Sequence, residues 1–227
     1  SIQTVSRALN DKSEIDPETK KRILRIAEKL NYSPNILASG LRSRRTKTLG
    51  IVIPDNSDPF YAEILQGAGK KAQEFGYQLI LSVLSQRGCD AGEELSALRT
   101  LISKRVDGLL LQPEQEDRLY LDALRKCPIP YVLYNRAPRG LDCDYVTHDH
   151  EHGSYLACSH LFQSGKTEIH YLTRKPETSS TRARIRGCRR AALEEGLDPD
   201  AIRIIECDDS VNDAYLKTKG ILDRRRP

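Results

Sequence analysis

Gln3, Arg7 and Asn10 recur at i, i+4 and i+7, which places an amide, a guanidinium and a second amide on one helical face. Ile2, Val5 and Leu9 fall at i, i+3 and i+7 on another face, so one side can pack while the other reaches outward. A second stretch, His148-Asp149-His150-Glu151-His152 with Cys143 nearby, holds metal-ligating residue types. It sits at an expected strand-to-helix junction, where alternate residues need not converge, and no metal site is expected. Ser164-Gly165-Lys166-Thr167 resembles the end of a phosphate loop, but the position that needs the first glycine is His160. Gly67-x-Gly69-x-x-Ala72 matches a loose dinucleotide pattern inside a helix rather than after a strand, so that motif fails too. No Gly-x-Ser-x-Gly elbow and no nucleophile–base pair stands out, and the chain does not read as an enzyme. The six cysteines are scattered without a Cys-x-x-Cys pair, which argues against a zinc ribbon or a disulfide scaffold and for a reduced, cytoplasmic protein without cofactors.

Charge divides these residues into two groups. Residues 1–50 hold 11 Lys/Arg against 5 Asp/Glu, a balance of +6, whereas the remainder holds 25 against 27, a balance of −2. A small basic head on a slightly acidic body points to a polyanionic partner for the head. Mean hydropathy is −0.55, and apolar runs such as 49–53 are far shorter than the roughly 18 residues of a membrane helix. Residues 1–10 are polar and helical in pattern, unlike a signal peptide.

The elements follow from the same periodicities. Asp16-Pro17-Glu18 is a helix start, followed by the apolar stripe Ile23, Ile26, Ala27 and Leu30 and a stop at 31–34. A third short helix is expected over 35–41, and Arg42-Ser43-Arg44-Arg45-Thr46-Lys47 reads as a basic linker. Beyond it the rhythm changes. Short apolar strands are expected at 49–53, 77–83, 108–111, 131–134, 169–172 and 203–206, with helical segments between them. Such alternation predicts parallel sheets covered by helices, an α/β fold in which ligands sit beyond the carboxyl ends of the strands.

Residues 3–10, read TVSRALN with a leading Gln, and 22–35, ending Asn31-Tyr32-Ser33-Pro34-Asn35, resemble the headpiece of the LacI/GalR family of bacterial repressors. In the body, Gly50-Ile51-Val52-Ile53-Pro54, Pro59-Phe60-Tyr61, Arg105-Val106-Asp107-Gly108-Leu109 and Ala183-Arg184-x-x-Gly187 are similar to that family's core. The resemblance implies periplasmic-binding-protein-like parallel sheets, partial here, preceded by an all-α helix-turn-helix headpiece, also partial. It implies a headpiece over 1–47 with a hinge helix at 35–41, one core subdomain over 48–147 and an incomplete second one over 148–227. Set beside the family, the sequence reads as an internal fragment that lacks the first headpiece helix and the C-terminal part of the core, with an exposed sheet edge and reduced stability as the expected result.

What the resemblance assigns to residues can be stated. Ile2, Gln3 and Arg7 take the place of major-groove readers, where Gln suits adenine, Arg suits guanine and Ile packs on a thymine methyl. Thr4, Ser6 and Asn10 are short groups suited to phosphates. Tyr32, Asn35 and Ala38 belong to the same interface, and Leu41 matches a wedge that pries apart a base step in the minor groove. Glycine at position 40 loosens that hinge helix. For a small-molecule effector, expected to be a sugar or related metabolite, the motifs point to Asp55, Asn56, Phe60, Tyr61, Asn135, Arg136, Ser180 and Arg184. Asn135 stands where many relatives carry an acid. The whole reading is a transcriptional regulator, most often a repressor, acting as a homodimer on a pseudo-palindromic double-stranded operator, with no membrane partner. A ligand-binding module that ignores DNA is the alternative.

Overall fold

The computed structural model describes residues 1–9, 15–30, 32, 45–85, 90–114, 116–174, 178–208 and 210–223. It separates into two compact units, Ser1–Thr46 and Lys47–Pro227.

In the first unit, helix α1 (Ile2–Leu9) packs on α2 (Pro17–Lys29). Asp16 caps α2 as its sequence anticipates, its carboxylate accepting from the Thr19 amide at 2.9 Å. Among the α1 side chains described, Ala8 is buried and Leu9 half-buried, whereas Val5, expected to pack, stays 42% exposed. In α2, Ile23 and Ala27 are half-buried and Ile26 and Leu30 are exposed. The expected helix over 35–41 and the basic residues 42–44 lie outside the described residues, as do Asn10, Asn35, Ala38 and Leu41.

The second unit carries two parallel sheets. Strands β1 (Thr48–Ile53), β2 (Gln78–Val83), β3 (Gly108–Leu111), β4 (Tyr131–Tyr134) and β5 (Asp144–Val146) form a five-stranded sheet in the order β2-β1-β3-β4-β5. Strands β6 (Ile169–Thr173) and β7 (Ile202–Glu206) form a two-stranded sheet. Between them run α3 (Pro59–Glu74), α4 (Ala91–Ser103), α5 (Arg118–Arg125), α6 (His150–Gln163) and α7 (Ser179–Glu194), and α8 (Val211–Asp223) follows β7.

Alternation along β1 explains how the larger sheet is covered on both faces. Ile51 and Ile53, fully buried, pack with Tyr61, Ile64 and Leu65 of α3. Val52 points the other way, into a core built from Leu95, Leu98 and Leu101 of α4 and Tyr120, Leu121 and Leu124 of α5. Gly50 lets α4 approach the sheet, since a Cβ there would lie 2.9 Å from side-chain carbons of both Leu101 and Leu109. The strand β5 has no counterpart in the sequence reading: all three of its residues are exposed, so no hydrophobic period marks it. Backbone pairing with β4 is what makes it a strand.

The strand order reverses at β1, with β2 on one side and β3 on the other, the topology that opens a crevice at the carboxyl ends of the strands. The β6–β7 pair brings its own carboxyl ends, at Arg174 and Cys207, to that crevice.

Candidate functional site

A cavity of about 1610 Å³ occupies the crevice in the second unit. Its lining comes from segments that follow strands: Asp58, Phe60 and Tyr61 after β1, Glu114, Glu116 and Asp117 after β3, Asn135 and Arg136 after β4, and His148 to His150 after β5. The smaller sheet contributes Tyr171 to Arg174 and Glu206 to Asp208, and α7 contributes Ser180, Thr181 and Arg184. Caps hold these segments in place. Asp58, Asp117 and Asp149 each accept a hydrogen bond from a first-turn amide of α3, α5 and α6 respectively, at 2.8, 2.7 and 2.9 Å. Asp149 is therefore the cap of α6, at the strand-to-helix junction expected for the His148–His152 run.

The floor is a buried polar network. The Gln112 amide nitrogen donates to the Tyr61 hydroxyl at 2.7 Å and to a Glu114 carboxylate oxygen at 2.8 Å. The Asn135 amide donates to the Gln112 carbonyl at 2.9 Å. Arg136, 8% exposed, donates to the Pro113 carbonyl at 2.9 Å and to the Glu114 carbonyl, and its Nη1 lies 3.3 Å from the Glu114 carboxylate. Its Nε is buried without an acceptor among the described residues. From α4, Glu94 accepts the Glu114 amide at 2.8 Å, which fixes the segment after β3. Burial holds the Tyr61 phenol above its ordinary value of 10.0, so it stays protonated.

An aromatic edge rises from that floor. Phe60 meets Tyr61 edge-on with centroids 5.1 Å apart, His148 lies 5.9 Å from Phe60, and His150 lies 5.6 Å from His148. His150 bridges two walls. Its Nε2–H donates to the Asn135 carbonyl at 3.1 Å while Nδ1 accepts from Arg184 at 3.3 Å, which assigns the neutral Nε2–H tautomer. Burial, partly offset by the Asn135 carbonyl and reinforced by Arg184, His148 and Arg136, lowers its pKa below the ordinary 6.5. Asn135 makes this possible with φ of 64°, a left-handed conformation that asparagine tolerates better than most residues.

Two carboxylates tie the segment after β3 to the smaller sheet and α7. Glu114 lies 3.7 Å from Arg174, and Glu116 accepts from Arg182 at 2.6 Å and from the Ser179 amide at the start of α7. Walls from both sheets can thus hold a polar molecule with hydroxyls, amides and a guanidinium beside an aromatic plate.

Of the residues expected to meet an effector, Phe60, Tyr61, Asn135, Arg136, Ser180 and Arg184 line the cavity. Asp55 and Asn56 lie outside its lining. The Asp55 carboxylate is taken by the Ser57 amide and hydroxyl at 2.8 and 2.7 Å, and Asn56 is exposed. Sequence reasoning missed His148, His150, Glu114, Glu116, Tyr171 and Arg174. The His-rich run was visible, but only the return of β5 beside β4 shows which way it faces. Among the described residues no group of three or more His, Cys, Asp or Glu is arranged to hold a metal ion.

On α1, Gln3 and Arg7 are exposed, and Thr4 and Ser6 are half-buried. The Thr4 hydroxyl lies 3.1 Å from that of Ser1. Tyr32, 57% exposed, is tied to α2 by its amide on the Ala27 carbonyl at 2.8 Å.

Comparison with known proteins identifies both units. Residues 1–35 match the bacterial regulatory proteins of the lacI family, and residues 46–227 match the periplasmic binding proteins and sugar-binding domain of the LacI family. Catabolite control protein A of Priestia megaterium is 34% identical over 98% of this chain and 67% of its own length. The transcriptional repressor PurR of Photobacterium profundum is 32% identical over 96% of the chain and 67% of its own. The chain thus spans about two thirds of the length of these relatives. Among solved structures, a lac repressor dimer bound to operator and an anti-inducer superposes with a TM-score of 0.84 at 22% identity, covering 99% of this chain and 67% of that one. A complex of the regulator CelR with cellobiose gives 0.66 at 27% identity, with the same coverage of each chain. On these matches, and on the parallel sheets and paired N-terminal helices already described, the chain belongs to the LacI family of bacterial regulatory proteins.

Proposed function

We propose that this chain is the larger part of a cytoplasmic transcriptional repressor whose head binds a duplex operator as a homodimer and whose body senses a small polar metabolite, a sugar or a close relative. The observation that carries the reading is the polar cavity at the carboxyl ends of both sheets, in a chain whose first 35 residues match the family's regulatory headpiece. Ile2, Gln3 and Arg7 serve as base readers, Thr4, Ser6 and Asn10 as phosphate contacts, and Tyr32, Asn35, Ala38 and Leu41 complete the interface over a head of residues 1–47 with its hinge at 35–41. The body divides into subdomains 48–147 and 148–227. Phe60 and Tyr61 offer the plate on which the effector rests. Asn135, Ser180 and Arg184 offer hydrogen bonds to it, and the spare Nε–H of Arg136 offers one more. Asp55 and Asn56 stand outside the lining.

Because both sheets supply the walls, a ligand that prefers one arrangement of them shifts the population toward it. Operator affinity follows by linkage, with a coupling of about 1–3 kcal/mol. No helix among the described residues is long and apolar enough to cross a membrane.

Binding of the 227-residue chain to duplex DNA, titrated with salt, tests the head. Affinity that falls steeply as salt rises supports the proposal, because released counterions drive phosphate contacts. Binding that is absent even in dilute buffer leaves the body as a ligand-binding module only.

A further inference from the structure

Five helices begin at the cavity among the described residues. Its lining holds Asp58 before α3, Asp117 before α5, Asp149 before α6, Thr178 before α7 and Ser210 before α8. A helix start presents bare amides and the positive end of a dipole, so a ring of them is the natural seat of a phosphate or carboxylate. Here each start is closed by the chain itself. Asp58, Asp117 and Asp149 accept from first-turn amides of α3, α5 and α6. Thr178 Oγ1 accepts the Thr181 amide at 3.3 Å, and Ser210 Oγ accepts the Asp213 amide at 3.1 Å. The Ser179 amide, which opens α7, donates to the Glu116 carboxylate. Four of the five starts therefore already meet a carboxylate of this chain, where an anionic ligand would otherwise sit.

The cations of the lining are answered in the same way. Arg136 and Arg174 face Glu114 at 3.3 and 3.7 Å, Lys217 pairs with Asp213 at 2.7 Å, and Arg184 donates to the His150 imidazole at 3.3 Å. Carboxylates outnumber lysine and arginine seven to four along the lining. One of them, Glu206, is exposed at the end of β7 and adds to the negative side. An anion that enters meets a net negative field, in a cleft that focuses it. An uncharged polyol meets no such barrier. Its hydroxyls can still be held by Arg184, by Asn135 and by the Arg136 Nε–H.

We propose that the effector carries no charge: the cavity accepts a free sugar or polyol and turns away the phosphate ester or carboxylic acid of the same molecule. This ligand class rests on the sensing role proposed above. Asp58, Asp117, Asp149 and Glu116 thus serve twice, fixing the helix starts and repelling the wrong ligand.

The experiment titrates the intact chain by calorimetry with matched probes: glucose and glucose 6-phosphate, ribose and ribose 5-phosphate, glucose and gluconate, and inorganic phosphate alone. In any pair that binds, the charged member is expected to be weaker by at least about ten-fold. Raising salt from about 50 to about 300 mM shifts the affinity of the free sugar less than about two-fold, because it has no charge to screen. Inorganic phosphate shows no saturable binding. A variant combining Asp58→Asn, Asp117→Asn and Asp149→Asn keeps its caps, since asparagine caps as well as aspartate, but loses three negative charges. It is expected to gain phosphate binding and to narrow the ten-fold gap; Asp117→Asn alone does so in part if the triple variant lacks native circular dichroism. A phosphate ester or acid that binds the unaltered chain as tightly as its parent sugar overturns the ligand class alone, as does a charge-depleted variant that gains no phosphate. A chain that binds neither member of any pair overturns the sensing role and the ligand class with it.

Discussion

The two sheets of the body are stabilised by opposite means. The five-stranded sheet is covered by long side chains: Leu101, Leu111, Leu124 and Leu133 are at most 1% exposed and fill the space between strands and helices. The two-stranded sheet has a core in which Cys158, Cys188, Ala191 and Ala192 stand beside only three large buried residues, Phe162, Ile169 and Ile202. There the stabilising contact is helix against helix, brought close by Gly187. One core is vulnerable to loss of volume and the other to its gain, because a close-packed interior resists both changes by different routes.

The first way to press on this contrast is at the polar floor of the larger sheet. Arg136→Met leaves the buried Glu114 carboxylate without its nearest cation and should cost about 3–5 kcal/mol in urea unfolding. A loss below about 1 kcal/mol would show that Arg174 carries the pairing instead.

Next comes Gly187→Ala, where the added methyl collides with the Glu151 carbonyl and overpacks the contact by about 1–3 kcal/mol. Hydrogen exchange should accelerate in α6, α7, β6 and β7 and stay slow in β1, β3 and β4. Uniform acceleration would mean the two sheets unfold as one unit, and the contrast drawn here would fail.

Removing a cap is milder. Asp149→Ala should lower stability by about 1 kcal/mol, measured by thermal unfolding, since the His152 amide loses its acceptor.

The smallest effect is one of pH. His150 is held neutral in the folded protein, with a pKa lowered from 6.5. The unfolded chain therefore takes up its proton first as pH falls, and stability declines from about pH 6.5 down to the folded-state value. His150→Gln should flatten that part of the stability–pH curve. An unchanged slope would remove His150 as its source.

How much of this was legible in the residues alone differs by element. Strands with continuous apolar runs, such as 49–53 and 108–111, could be read off directly, because burial on both faces leaves no room for a polar residue. The helix start at Asp16 was equally visible, since a cap is a local hydrogen bond within three residues. Strand β5 was not, because its three residues are exposed and only the neighbouring strand defines it. On α1 the pattern named Val5 as a packing residue, yet it stays 42% exposed while Ala8 is buried.

The residues by themselves determined the periods, the caps, the basic head and the motifs that carry the family resemblance, all of which are local in the chain. Only the tertiary structure decided that Asn135, His150 and Arg184 share one hydrogen-bonded wall, that Glu116 reaches Arg182 across 66 positions, and that Cys158 and Cys188 share one buried cluster. Local periodicity says which face of an element is apolar. It does not say which carboxyl ends will meet, because that depends on strand order and on how closely two helices can approach.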